Sequence, residues 1–374
     1  AQAHHACGRG ADGPTLVVMN TVQRAIEIHA RLSKDESLSG SDLQLVHSRF
    51  RPADRHHWRE AFLNRAACAP GTDRIIVATQ VIEAGVDLSA AVLVTQLAPW
   101  ASLVQRFGRA ARWGGKAQII VIDPQPADPG PGDAKLQKVR EAQALPYAPE
   151  DLDAAREALR LLDEVSPLAL EAFEQAHPQR LARLYPYSVR HLLLRHELDE
   201  LFDTTPDLSG ADIDISRFIR SGEERDLQVF WAEIAKDAKH PPDDLAATRD
   251  ALCNVPFLAA RDWLCGAETS SKKLPKLREK IRAWIWDYLE GRWRTAARKD
   301  LYPGQTVLVA ADCGGYHTLT GWNPQSTQSV PPVAAASAPE QADAREDDEA
   351  LSVTPGWQTI ATHGAEVGRQ AAAM

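Results

Sequence analysis

Two arginines set three residues apart, Arg109 and Arg112, close the run Gln105-Arg106-Phe107-Gly108-Arg109-Ala110-Ala111-Arg112. On one helical turn they share a face, so two guanidinium forks can point together at a phosphate bound by a facing domain. A guanidinium in that position takes up the charge that develops on a transferring phosphoryl group. The competing reading is a surface helix with scattered arginines, and the flanking segments weigh against it.

Upstream, Arg74-Ile-Ile-Val-Ala-Thr79 is a short apolar run that reads as a buried parallel strand, and Gln80-Val-Ile-Glu-Ala-Gly-Val-Asp87 follows it directly. Open α/β sheets bind ligands beyond the carboxyl ends of their strands, which is where Thr79, Gln80, Gly85 and Asp87 fall. Further strands are predicted at Thr15-Leu-Val-Val-Met19, Leu43-Gln-Leu-Val-His47, Ala91-Val-Leu-Val-Thr95 and Ala117-Gln-Ile-Ile-Val-Ile122, with helical stretches between most of them. That alternation predicts an α/β fold: three layers around a mainly parallel sheet.

Asn20-Thr-Val, Val46-His-Ser-Arg-Phe50, Ala78-Thr-Gln-Val-Ile-Glu-Ala-Gly-Val-Asp87 and Gln105 to Arg112 stand in the order of superfamily 2 helicase motifs. The first 120 or so residues resemble the second RecA-like lobe of that superfamily, and within it the CRISPR-associated helicase-nuclease of type I interference systems. The resemblance implies ATP with Mg²⁺ as cofactor, with Arg109 and Arg112 at the γ-phosphate and Gln105 coupling nucleotide to DNA. It implies Gly85 and Asp87 on the nucleotide side of the cleft. It implies single-stranded DNA on Asn20, Thr21, Ser48, Arg49, Thr79 and Gln80, and an RNA-guided surveillance complex as partner. Hydroxyls, amides and backbone N–H groups suit phosphates, which they hold without reading bases. For each of these polar residues the alternative role is a helix cap or a turn partner.

Such a lobe cannot hydrolyse ATP alone, and the partner lobe's loop, Gly-x-x-x-x-Gly-Lys-[Ser/Thr], is absent from the 374 residues. No acidic Mg²⁺-binding box follows a strand either. The expectation is a fragment that starts near a second lobe; a stand-alone regulatory lobe is the alternative. Residues 1–14 read as a disordered start, 15–123 as the lobe, 124–150 as a linker and 151–300 as a largely helical accessory domain, with Ser166-Pro167 a natural helix start. Residues 301–324 read as a small β element.

Lys272 to Lys299 carries 10 Lys/Arg against 3 acids, with Trp284, Trp286, Tyr288 and Trp293 interleaved. As a helix it places Leu277, Ile281, Trp284, Ile285 and Tyr288 on one buried stripe and turns Trp286 and Trp293 outward. There the two tryptophans either stack on single-stranded DNA or pack on a neighbouring domain. Asp203 to Asp214 groups acids with turn-formers and reads as a structured loop. Residues 325–355, rich in Pro, Ala and Ser and then acidic, read as a flexible linker.

Residues 356–374 resemble the truncated start of an HD-type nuclease, in which His363 would be the first ligand of a divalent transition metal; a surface histidine is the alternative. The whole then implies part of an ATP-dependent DNA translocase and nuclease. Two rivals remain: a DNA-repair or branch-remodelling helicase, and a non-enzymatic DNA-binding lobe.

The net charge of −9 divides unevenly, +4 over residues 1–122 and −13 beyond, so the lobe itself is basic. Five scattered cysteines form no Cys-x-x-Cys pair, and no apolar stretch approaches the roughly 20 residues of a membrane span. These features lead to an expected reduced cytoplasmic setting.

Overall fold

The computed structural model describes residues 1–124, 134–187, 193–201, 226–238, 240–266 and 281–333. Five strands, β1 (Thr15–Val18), β2 (Asp42–Val46), β3 (Arg74–Ala78), β4 (Val92–Gln96) and β5 (Gln118–Ile122), form one sheet in the order β2-β3-β1-β4-β5. All four pairings are parallel. The central runs β1, β3 and β4 become strands because each is short, rich in β-branched residues and largely buried, while β2 and β5 at the edges are more exposed.

Alternation along β1 and β3 divides the core in two. Leu16, Val18, Ile76 and Ala78 face one cluster, and Val17, Met19, Ile75 and Val77 face the other. The first face is covered by α5 (Trp100–Phe107) together with α7 (Pro149–Leu159), α8 (Pro167–Ala176) and α9 (Pro178–Leu184), through Leu103, Phe107, Leu152, Ala155, Leu170, Phe173 and Leu184. Ser166 caps α8 and Pro167 opens it, as the sequence predicts. Earlier in the chain come α1 (Gln2–Ala6), α2 (Val22–Leu32), α3 (Pro52–Arg55) and α4 (Trp58–Ala61).

The second face shares its cluster with a five-stranded mixed sheet, built from β6 (Asp226–Ala232), β7 (Cys253–Pro256), β8 (Ala283–Asp287), β9 (Arg292–Thr295) and β10 (Thr306–Ala310) in the order β7-β6-β10-β8-β9. A small hairpin of β11 (Tyr316–His317) and β12 (Gly321–Trp322) follows.

Several boundaries differ from the sequence reading. The start is ordered: His4, 1% exposed, lies 2.8 Å from both Thr15 Oγ1 and Asp73 Oδ1, and Arg9 donates to Asp73. The segment expected as a linker holds helix α6 (Ala134–Ala144) and opens α7. Among the described residues, the accessory region is helical through α10 (Arg195–Leu201) and from residue 226 contributes the mixed sheet, with one further helix, α11 (Phe257–Cys265). The 301–324 element is not separate, since β10 lies centrally in that sheet.

The helix expected across Lys272–Lys299 is a β-hairpin from Ala283 onward, with Leu277 outside the described residues. Asp287 Oδ1 accepts from the backbone N–H groups of Leu289 and Glu290, and Gly291 turns the chain at φ 62°. The flanking aromatic and β-branched residues then pair across strands. Tyr288, placed in the core stripe by helical spacing, is exposed at the turn. The Asp203–Asp214 loop, residues 334–355 of the second linker and His363 lie outside the described residues.

Candidate nucleotide and nucleic-acid site

The polar segments singled out in the sequence meet at the carboxyl ends of the parallel strands: Asn20 and Thr21 after β1, Ser48 and Arg49 after β2, Thr79 to Asp87 after β3. Their individual roles diverge.

Helix α5 ends at Phe107, so Arg109 and Arg112 do not share a helical face. The Ala90–Ala110 bridge pulls the chain onto the loop before β4, and Ala111 takes a positive φ of 45°. Arg109 therefore turns inward. Its Nε donates to Ile82 O and its Nη1 to Val86 O, both at 2.9 Å, and Nη2 donates to Glu83 O. The guanidinium is a clamp on loop 82–86 and not a free finger, which corrects the paired-finger geometry. Burial, and then the neighbouring charge of Arg112, lower the Arg109 pKa.

Arg112 points outward. Its Nε lies 3.3 Å from Asp87 Oδ1, an oxygen that also accepts from Trp113 Nε1 at 3.2 Å. Both partners of this ion pair are largely exposed, so the pair holds Arg112 weakly and leaves it able to change partner. Gly85 is exposed with φ 72°, a backbone that favours glycine although a Cβ would meet nothing within 4 Å. Gln105 is exposed on α5.

Asn20 is not available to a strand through its side chain. It is 1% exposed, Nδ2 donates to Leu97 O at 2.7 Å, and Oδ1 accepts from Arg106 Nη1 at 3.0 Å. Thr21 caps α2 by accepting from Arg24 N–H. Thr79 is buried. Ser48 is exposed, but Arg49 is committed elsewhere: its guanidinium pairs with Asp226 and donates to Asn254 O, both on the second sheet. With its guanidinium held by an ion pair and a backbone acceptor, Arg49 is a tie between the two sheets and not the free phosphate contact expected of it.

The same loop is gripped further along. Arg49 O accepts from Trp322 N–H at 2.8 Å, and Arg51 N–H donates to Tyr316 Oη at 3.0 Å. His47, 1% exposed, accepts from Arg49 N–H at Nδ1, and burial pushes its pKa down to about 3, with the charges of Arg49, His29 and Arg55 adding to the shift.

Trp286 and Trp293 are direct partners across the β8–β9 hairpin, packed edge to face at 5.3 Å. Trp293 is buried against Phe230. Trp293 is thus packed within its own sheet, and the outward-facing helical pair expected to stack on bases or on a neighbouring domain is not formed.

Two residues that sequence reading passed over organise the site. Arg106 is fully buried yet satisfied: Nε donates to Glu83 Oε1 at 2.8 Å, and Nη1 lies near Thr95 Oγ1, Gln96 O and Asn20 Oδ1. Its signal was positional, since it lies on the apolar face of α5 between Leu103 and Phe107. Tyr147 comes from the segment before α7, and its hydroxyl faces both Arg106 and Gln80. Nothing in its local sequence marks it. Among the described residues no group of three or more His, Cys, Asp or Glu could hold a metal ion, and no helix is long and apolar enough to cross a membrane.

A five-stranded parallel sheet with these loops at its carboxyl end, together with an arginine segment, defines a RecA-like α/β lobe. Residues 11–114 match the family described as the CRISPR-associated nuclease/helicase Cas3, C-terminal. The chain is 31% identical over 137 residues to the CRISPR-associated helicase Cas3 of Thermoproteus tenax, covering 36% of this chain and 22% of that protein. It is 40% identical over 100 residues to a putative CRISPR-associated nuclease/helicase Cas3 of Myxococcus xanthus, covering 27% of this chain and 13% of that protein. The chain thus spans about a fifth or less of the length of these relatives. A crystal structure of a CRISPR-associated protein, 17% identical, superposes with a TM-score of 0.50 over 86% of this chain and 39% of that one, a likeness of fold.

Proposed function

We propose that this chain supplies the arginine side of an ATP-dependent, single-stranded-DNA translocase and nuclease of CRISPR interference, working in the cytoplasm with an RNA-guided surveillance complex. Arg112 carries the reading. Of the two arginines of the motif it alone presents an exposed guanidinium, beside Asp87 in the loop that Arg109 holds in shape. In this reading Arg112 reaches the γ-phosphate of an ATP and Mg²⁺ held by a phosphate-loop lobe, while Gly85 and Asp87 border the nucleotide. Gln105 couples the nucleotide to DNA, and Ser48, Thr79 and Gln80 border the strand. The nuclease part rests on the resemblance around His363, which would be the first ligand of a divalent transition metal.

The 374 residues contain no Gly-x-x-x-x-Gly-Lys-[Ser/Thr] run, so the chain alone should release no phosphate from ATP in the presence of DNA. Supplied with a phosphate-loop lobe it should turn over. Arg112→Ala should then lower kcat on the order of 10³-fold or more, with DNA affinity retained. Steady turnover by the isolated chain, or undiminished turnover by the reconstituted variant, would refute the reading.

A further inference from the structure

The hydrogen-bond donors of Gln80 are already spent. Its Nε2 donates to Asn20 O at 2.7 Å and to Tyr147 Oη at 3.1 Å, and the adjacent carbonyl acceptor fixes which end of the amide is nitrogen. A primary amide has two N–H donors, and both are engaged. A phosphate oxygen only accepts. For Gln80, which is only half-buried, to hold a strand phosphate, one of these bonds must be given up, and the longer one is to Tyr147.

Tyr147 Oη is itself shared. It also receives Arg106 Nη2 at 3.3 Å, a long bond, and Arg106 is the buried hub that ties α5 to Glu83 in the loop clamped by Arg109. When Gln80 leaves, the lone pairs of the phenol oxygen are free to shorten the bond to Arg106. Occupancy at Gln80 is thereby converted into a change of contact on the helix that leads to Arg109 and Arg112.

We propose that Tyr147 is a positioning residue, exchanging its hydrogen bond from Gln80 to Arg106 when a nucleic-acid phosphate takes Gln80, and so reporting strand occupancy to the arginine segment. This rests on the reading above, that the loop after β3 meets a strand. Its sign is unusual: the Gln80–Tyr147 bond opposes strand binding, so removing the hydroxyl favours binding while cutting the signal.

The test compares Tyr147→Phe, which keeps the ring, with the wild-type chain, after thermal unfolding confirms that both are folded. Labelled oligo-dT is titrated into each, and amide hydrogen exchange over residues 100–109 is followed with and without the oligonucleotide. The expected result is binding about two- to ten-fold tighter in the variant, the worth of one net hydrogen bond, with the strand-induced change in exchange lost. A hydroxyl with a merely structural role would leave affinity unchanged or weaker. That outcome, or an exchange response equal to wild type, overturns the proposal while the strand-binding reading stands. Absence of binding by both proteins overturns the two together.

Discussion

His47 gives a stability test whose sign and size follow from its surroundings. The ring is buried, its Nδ1 accepts a backbone N–H, and its pKa falls to about 3 from an ordinary value of 6.5. The folded state therefore keeps the imidazole neutral while the unfolded chain takes up a proton below pH 6.5. Stability should be intact above that pH and be lost as pH falls toward 3. At pH 5 the unfolded chain gains about 2 kcal/mol from this one proton, from linkage at 25 °C. That figure is set by the unfolded value, because pH 5 lies well above the folded pKa. The perturbation is His47→Asn, whose side-chain oxygen keeps an acceptor for Arg49 N–H. Urea unfolding of both proteins at pH 7 and pH 5 gives two differences, and the wild-type loss should exceed the variant's by about 2 kcal/mol. The remaining titratable groups contribute to both proteins and cancel. If the two proteins lose stability in parallel between pH 7 and 5, the assignment of His47 as a buried neutral group is wrong.

Other perturbations test neighbouring claims. Gly321→Ala places a Cβ 2.4 Å from Arg49 O and 2.8 Å from the His47 ring at a φ of 70°, and should cost about 2 kcal/mol or more in chemical denaturation, against a neutral outcome if the hairpin does not press on this loop. Arg109→Ala should raise amide exchange across residues 82–86, with a destabilisation of about 2 to 4 kcal/mol from the loss of charge-assisted bonds to buried carbonyls; unaltered protection there would remove the clamp. Trp293→Ala should lose about 3 to 5 kcal/mol of stability and Trp286→Ala distinctly less, an order checked by their urea midpoints.

The three central parallel strands were legible because a strand buried on both faces reads as a short, mainly apolar run, as Thr15–Val18, Arg74–Ala78 and Val92–Gln96 do. Residues 281–295 were not, because Ile281, Trp284, Ile285 and Tyr288 satisfy a helical period as well as Ala283 to Asp287 satisfies a strand. The decisive marks were the Asp287 side chain and Gly291, both turn chemistry. At the site, residue types pointed to the correct loops, but the partner of each side chain depended on contacts made across long stretches of chain. Arg49 meets Asp226, and Gln80 meets Tyr147; neither pairing has a local signature. The arginine pair misled because a helix was extended past Gly108, where the Ala90 bridge ends it.

The apolar face of β1 and β3 that is shared with the second sheet carries a consequence for synthesis. Val17, Ile75 and Val77 are made before Leu227, Val229 and Val307, which complete their cluster and emerge a hundred and fifty or more residues later. A ribosome adds roughly 5 to 20 residues per second, so a nascent lobe spends on the order of ten seconds or more with that face uncovered. An exposed apolar surface of this kind invites holdase chaperones and self-association. Chains released early, between the lobe and β10, should accumulate as aggregates, whereas chains reaching past Val330 should not.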